Sequence, residues 1–198
     1  GAKAAGNAIL EHAGIGVGEV DLLDLYSCFP VALDMVADEL GISRTISFTI
    51  TGGMASAGGP YNNYVLHSTA QMAQKLRQGA GSTGLVGCIS GIVTKQAFGL
   101  WSVRPPTHPF EFTDVTSDVA RTAQPFAEAE GYKGKARVVA WTVLNSKDGS
   151  QRAIAIANTT DGRRCVAYNA EAGFVVDIAE RDIVGASVEV LDGVFTLD

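Results

Sequence analysis

A glycine-rich stretch at residues 52–60 is the part of this sequence best suited to hold a ligand. Four glycines and one proline fall within these nine residues, after a β-branched run at 45–51 and before an amphipathic helical pattern from about Asn62. A strand, a glycine turn and a helix N-terminus in this order direct backbone N–H groups toward a ligand, and Gly58 and Gly59 are the predicted contacts. A tight turn needed only for close packing is the alternative.

Two side chains outside this stretch could also do chemistry. Cys88 ends an apolar run beside Ser90 and Gly91. It could face a cleft as an acid or base, or it could be a small buried hydrophobic residue, and the residues alone favour neither. Tyr26 ends another apolar run, where its phenol could donate a hydrogen bond to a bound carbonyl or cap the core.

The elements that must position these residues alternate between helix and strand. Helical patterns end at glycines, as helices commonly do. Apolar runs without alternation are typical of strands buried on both faces. The pattern predicts a layered α/β unit over residues 1–104, with helices at 3–13, 29–40 and 62–78, strands at 20–26, 45–51 and 85–89, and an extended run at 92–101.

The composition and the hydrophobic pattern change after a proline-rich stretch at 104–109. Residues 105–133 are predicted to be a linker, partly helical around 120–130. From residue 134 the hydrophobic period becomes two, and Asp-Gly turns separate the runs, which is a strong hairpin signal. The sequence predicts a small antiparallel β domain at 134–198, as a meander or an OB-like barrel, with strands at 136–145, 152–158, 163–169, 173–178, 186–191 and 194–197.

Composition limits the classes of function. The 198 residues carry a net charge of −6 without a strong basic cluster, which argues against nucleic acid as a partner. No apolar run approaches the length of a membrane span, so no membrane partner is expected. Three cysteines without metal-binding spacing fit a reducing, cytoplasmic setting and predict no metal site. The first residue is Gly rather than Met, so we interpret the chain as a piece of a longer protein.

Three motifs in the first hundred residues resemble those of the C-terminal half of thiolase-superfamily proteins, in the same order. Residues 26–29, Tyr-Ser-Cys-Phe, resemble the family's Asn-Glu-Ala-Phe box. Residues 52–60 resemble its Gly-Gly-x4-Gly-His-Pro loop, with identical spacing, and residues 88–91 resemble its late Cys-x-Gly turn. The resemblance implies a layered α/β half with a mixed sheet. It is closest to a subgroup that carries an additional C-terminal β domain, often labelled acetyl-CoA acetyltransferases.

The departures from the family decide what activity the resemblance implies. Gly59 stands in place of the loop His that supports the oxyanion hole, and Tyr26 in place of the box Asn. The family's nucleophilic cysteine belongs to the N-terminal half, which this chain does not contain. Only Cys88 matches a catalytic residue, the acid/base that serves the carbanion. An acyltransferase with impaired or altered catalysis follows, with CoA or acyl-CoA as substrate, no covalent cofactor, and this chain inactive alone.

The resemblance also implies the site and the partners. Cys88 and Tyr26 are the catalytic candidates, while Gly58, Gly59 and the pair Ser90 and Gly91 are the substrate-binding candidates. CoA esters and the N-terminal thiolase half are the expected partners, and the resemblance is also compatible with a homo-oligomer. Residues 1–103 alone are expected to be marginally stable. The alternatives are a non-catalytic CoA-ester-binding or partner-assembly module, and a small β-barrel binding module with an α/β support.

Overall fold

A computed structural model describes residues 1–91 and 93–198. The chain divides into two compact units, residues 1–123 and residues 124–198. The domain bounds expected from the sequence, at residues 104 and 134, stay a prediction. In the described residues, no helix combines the length and the apolar character needed to cross a membrane.

The first unit is built on a mixed three-stranded sheet. Its central strand, β2 (Thr83–Ile89), runs parallel to β1 (Leu22–Asp24) and antiparallel to β3 (Gln96–Ser102). Helices cover both faces, since Leu85 of β2 packs in one apolar cluster and its neighbour Val86 in another. The layered α/β fold is thereby confirmed, with helices α1 (Ala2–Ala13), α2 (Pro30–Leu40), α3 (Met54–Ala57), α4 (Tyr64–Arg77) and α5 (Thr116–Thr122).

The strand predicted at 45–51 is wrong. Leu25 N donates to Phe48 O at 2.9 Å, as a strand partner would. The next amides, those of Ile50 and Thr51, instead donate to the side chain of Asp24. Because a carboxylate takes the N–H groups that a neighbouring strand would need, the segment crosses the strand end as turns and bends.

Two helix positions also differ from the prediction. The helix expected from about Asn62 begins as α4 at Tyr64, after a single 3₁₀ turn at Tyr61–Asn63. The helix expected around 120–130 is α5, which ends before the extended residue Ala123. Pro125 follows closely, and a residue that precedes proline disfavours helical backbone. Part of the extended run predicted at 92–101 falls on Ile92, outside the described residues.

The second unit is a closed five-stranded barrel. Its strands follow the order β4-β5-β6-β8-β7, with β7 pairing back to β4. All pairs are antiparallel except β6 with β8. The predicted small β domain is confirmed, and the barrel is consistent with the OB type. Its strands are β4 (Gly134–Asn145), β5 (Gln151–Thr159), β6 (Arg164–Asn169), β7 (Ser187–Leu191) and β8 (Val194–Leu197).

The strand predicted at 173–178 is wrong, because this segment is the helix α6 (Ala172–Ala179). The Glu171 carboxylate accepts hydrogen bonds from the amides of Gly173 and Phe174 at 2.8 and 2.7 Å, which caps the helix. Val175 and Ile178 lie three residues apart and are both buried against the barrel. A run that is almost wholly apolar is compatible with both the helical and the strand hydrophobic period, and here the cap from Glu171 favours the helix.

Candidate functional site

The carboxylate of Asp24 holds the glycine-rich stretch to the sheet. Asp24 ends β1 and is fully buried. Its Oδ2 accepts from Ile50 N at 3.0 Å, Thr51 N at 2.9 Å and Thr51 Oγ1 at 2.8 Å. Its Oδ1 accepts from Ser68 Oγ of α4 at 2.6 Å. One side chain therefore fixes the entrance of the stretch to the strand end on one side and to α4 on the other.

Hydroxyl groups extend this network to the segment 26–29. The Tyr64 side chain is fully buried, and its hydroxyl lies 3.0 Å from Thr51 Oγ1 and 3.4 Å from Ser27 Oγ. Ser27 Oγ in turn accepts a hydrogen bond from Met54 N at 2.8 Å, at the first residue of α3. The motif at 26–29 and the glycine-rich stretch, predicted separately from sequence, are thus joined by direct hydrogen bonds.

Gly53 is the glycine that this contact requires. Its φ of 75° and ψ of −178° are accessible almost only to glycine. A Cβ at this position would lie 2.9 Å from Ser27 Oγ, which is closer than side chains tolerate. Backbone conformation and space therefore both exclude a larger residue where the stretch meets Ser27.

Tyr26 and Cys88 lie together at the carboxyl ends of two neighbouring parallel strands. Asp24 pairs with Val86, and extending that register brings Tyr26 level with Cys88. Burial raises the pKa of the Tyr26 phenol, and the nearby Cys28, Cys88 and Tyr64 raise that pKa further. The rings of Tyr26 and Tyr64 meet edge to face, with centroids 5.4 Å apart.

The Cys88 thiol is partly buried, and this burial raises its pKa above the ordinary thiol value. A thiol in this state is a weak nucleophile and a weak base at neutral pH, because the thiolate is the reactive form. Cys88 and Tyr26 are therefore both protonated at neutral pH, and both are available as hydrogen-bond donors.

Gly58 and Gly59 lie on the exposed part of the stretch, beyond α3. A Cβ at either position would meet nothing within 4 Å, so their backbone is open on the outer side. Tyr61, two residues later, has a φ of 51° and is 92% exposed. Positive φ at an aromatic residue is strained, and such strain is typical of functional segments.

Ser90 and Gly91 directly follow β2, whose last two residues are Cys88 and Ile89. Both are exposed, and Ser90 N donates to Lys95 O at 3.1 Å in the turn toward β3. The structure thus joins Tyr26, Cys88 and the Ser27–Met54 contact in one area, while Gly58, Gly59, Ser90 and Gly91 extend from it on flanking turns. The roles assigned to these residues stay predictions.

Sequence reasoning missed the residues that organise this area, namely Asp24, Thr51, Tyr64 and Ser68. The available signal was an acidic residue within an apolar run, at Leu22-Leu23-Asp24-Leu25. Because a buried carboxylate needs several hydrogen-bond donors, this pattern was the one sign of a polar segment packed against the strand end. In the described part of the chain, no group of three or more His, Cys, Asp or Glu side chains could hold a metal ion.

Comparison with known proteins agrees with this architecture. Residues 114–193 match a family model described as the thiolase-like protein type 1 additional C-terminal domain. Among solved structures, the chain is similar to a monomeric SCP2-thiolase like protein type 1 from Mycobacterium smegmatis, with 30% sequence identity and a TM-score of 0.86. That match covers 100% of this chain and 45% of the other, so the chain spans less than half of that protein. None of the curated proteins compared with the chain matches it.

The two findings cover different extents of the chain. The family model covers strands β4 to β7 of the barrel and the segment before them, and the solved structure covers the whole chain, including the α/β unit and β8. The resemblance to the C-terminal half of thiolase-superfamily proteins that carry an additional C-terminal β domain is thereby confirmed.

Proposed function

We propose that the chain is the C-terminal part of a thiolase-like acyl-CoA acyltransferase that binds CoA esters with impaired or altered catalysis. The observation that carries this proposal is the placement of Tyr26 and Cys88 at adjacent strand ends, beside a glycine-rich stretch that Ser27 and Asp24 hold in place. Ligands of α/β proteins bind at the carboxyl ends of the strands, so this is where a CoA ester would lie.

Each residue has a defined task in this proposal. The open backbone of Gly58 and Gly59 and the turn at Ser90 and Gly91 would contact the CoA ester. The Tyr26 phenol would donate a hydrogen bond to the thioester carbonyl, since its raised pKa keeps it protonated. The N-terminal half would supply the nucleophile and close the site from the other side.

Two features support impaired rather than ordinary thiolase catalysis. Gly59 offers only backbone where the family has a histidine, and this removes a donor to the oxyanion hole, a group worth orders of magnitude in rate. The raised pKa of Cys88 makes this thiol a poor base at neutral pH. A site with these two features is expected to bind a thioester but to cleave it slowly.

The test is a titration of acetyl-CoA into the chain combined with its N-terminal half, followed by an assay of acetoacetyl-CoA thiolysis. We expect saturable binding, little turnover, and weaker binding in Tyr26→Phe, which lacks only the hydroxyl. Gly59→His should raise turnover, because it returns the family's loop histidine to a position where an added Cβ meets nothing within 4 Å. Absence of binding, or robust turnover without the histidine, would contradict the proposal.

The second candidate is a non-catalytic CoA-ester-binding or partner-assembly module. The observation that favours it is the raised pKa of Cys88, the one side chain that matches a catalytic residue of the family. Under this alternative, Gly59→His leaves turnover undetectable while acetyl-CoA still binds. Thiolysis by the Gly59→His variant therefore separates the two candidates.

A further inference from the structure

Two strands of the barrel place small residues inside and large apolar residues outside. The buried inward side chains of β5 and β6 contain four alanines among seven residues: Ala153, Ala155, Ala157, Thr159, Cys165, Ala167 and Asn169. The outward positions between them carry Ile154, Ile156, Val166 and Tyr168. Val166 is 61% exposed and Tyr168 is 47% exposed.

The strand register gathers these outward residues into one patch. Ile156 pairs with Val166 and Ile154 pairs with Tyr168. Tyr168 in turn pairs with Val194 of β8, which is 37% exposed. We name these five residues the apolar face.

This inverted pattern is weaker in β7. Its buried residues are Val188 and Val190, and two of its three outward residues, Ser187 and Glu189, are polar, whereas Leu191 is apolar and exposed. Apolar residues on both faces of a sheet are typical of strands that are covered on both sides. The apolar face thus has the composition of a surface that another molecule covers.

The charged residues within β4, β5 and β6 all have one sign. Residues 124–198 contain more acidic than basic residues, yet β4, β5 and β6 contain only basic ones: Lys135, Arg137, Arg152 and Arg164. The ion pairs among the described residues involve none of the three arginines. Glu128 lies beside Arg164 in an isolated bridge and makes no ion pair with it.

We propose that the apolar face binds a partner protein whose surface is apolar at its centre and acidic at its rim. A second copy of this chain fits poorly, because a twofold contact through the same face would bring arginines against arginines. Single-stranded nucleic acid fits poorly too, because stacking of successive bases needs several exposed rings and the apolar face has one, that of Tyr168. The exposed side chains are mainly aliphatic, and the Arg164 guanidinium lies over the Phe126 ring at 3.6 Å.

The test uses a fluorescent random copolymer of Glu and Tyr as an acidic, apolar polypeptide probe, with the full chain of 198 residues. Three matched probes accompany it: poly-Glu, a Lys–Tyr copolymer and an oligo-dT strand. We expect the Glu–Tyr copolymer to bind more tightly than poly-Glu and the Lys–Tyr copolymer to show no binding. Tighter binding of oligo-dT, equal binding of poly-Glu, or no binding of the Glu–Tyr copolymer would overturn the proposal.

Variants locate the contact. Val166→Ser and Arg152→Glu change exposed side chains on or beside the apolar face, and each is expected to weaken copolymer binding about fivefold. Val176→Ser, on the exposed side of α6, and Lys3→Glu, on α1, are the matched controls and should leave binding unchanged. If the controls weaken binding as much as the test variants do, the contact lies elsewhere and the proposal is wrong.

Discussion

Replacing Asp24 tests whether one buried carboxylate organises the α/β unit. Asp24→Asn keeps the size of the side chain and removes its charge. The amide oxygen can still accept from Ile50 N, Thr51 N and Thr51 Oγ1, and the amide NH2 can donate to Ser68 Oγ. What is lost is the charge-assisted part of these hydrogen bonds. Asp24→Ala removes the acceptor entirely and leaves two backbone N–H groups without a partner.

The expected losses in the free energy of unfolding follow from these hydrogen bonds. A hydrogen bond to a charged group contributes about 1.5–3 kcal/mol and a neutral one about 1 kcal/mol, so three weakened bonds cost about 3 kcal/mol. Removing a buried charge offsets part of this loss, which gives about 1–3 kcal/mol for Asp24→Asn. Each unpaired N–H costs about 1–3 kcal/mol, so about 3–5 kcal/mol is expected for Asp24→Ala.

The assay is urea unfolding followed by tryptophan fluorescence. The chain has two tryptophans, Trp101 in the first unit and Trp141 in the second, so a Trp141→Phe background reports on residues 1–123 alone. Asp21→Asn is the matched control, because Asp21 accepts from Ser82 N and Thr83 N at the exposed surface. It should cost clearly less than Asp24→Asn. An Asp24→Ala variant that unfolds within 1 kcal/mol of the unmodified chain would refute the reasoning.

Three further predictions test the site and the barrel. In urea unfolding, Gly53→Ala should destabilise the first unit by about 2 kcal/mol more than Gly58→Ala does. Both glycines have extended backbone with positive φ, but only a Cβ at residue 53 would contact Ser27 Oγ. Equal losses of stability in the two variants would exclude the clash. With the other two cysteines replaced by serine, iodoacetamide should alkylate Cys88 with a pH midpoint above the usual thiol value of about 8.5, because burial raises its pKa and only the thiolate reacts. A midpoint at or below that value would contradict the assigned burial. Glu171→Ala should lower the stability of the barrel unit by about 1 kcal/mol in thermal unfolding through loss of the helix cap, whereas Glu180→Ala, at the other end of α6, should not.

Most helices and strands of the α/β unit could be predicted from sequence because the patterns that indicate them are local. Largely apolar runs without alternation marked β1 and β2, and glycines marked the ends of α1 and α2 at Gly14 and Gly41. Both glycines have left-handed backbone, which other residues rarely adopt. The Asp-Gly turns likewise indicated the hairpins of the barrel.

The errors came where a single side chain overrode a local pattern. Residues 45–51 have strand composition, but the distant Asp24 takes their amides, and no periodicity argument contains that contact. Residues 173–178 are apolar except for Asp177, and the cap from Glu171 makes them helical. In both cases a carboxylate competed for backbone N–H groups.

The candidate site was predictable in its parts and not in its connections. Spacing pointed to Tyr26, Cys88 and the glycine-rich stretch. The links between them run through hydroxyls of Ser27, Thr51 and Tyr64, whose residue types are common on any surface. Only the fold reveals that these hydroxyls are partly or wholly buried together.

Protection of Cys88 by ligand tests the central claim most directly. The measurement is the rate of Cys88 alkylation in the protein that contains both halves, with and without saturating acetyl-CoA, read by peptide mass spectrometry. Cys165, buried inside the barrel, is the internal reference. The account predicts that acetyl-CoA slows alkylation of Cys88 at least several-fold and leaves Cys165 unchanged. Equal rates at Cys88 with and without acetyl-CoA would contradict it.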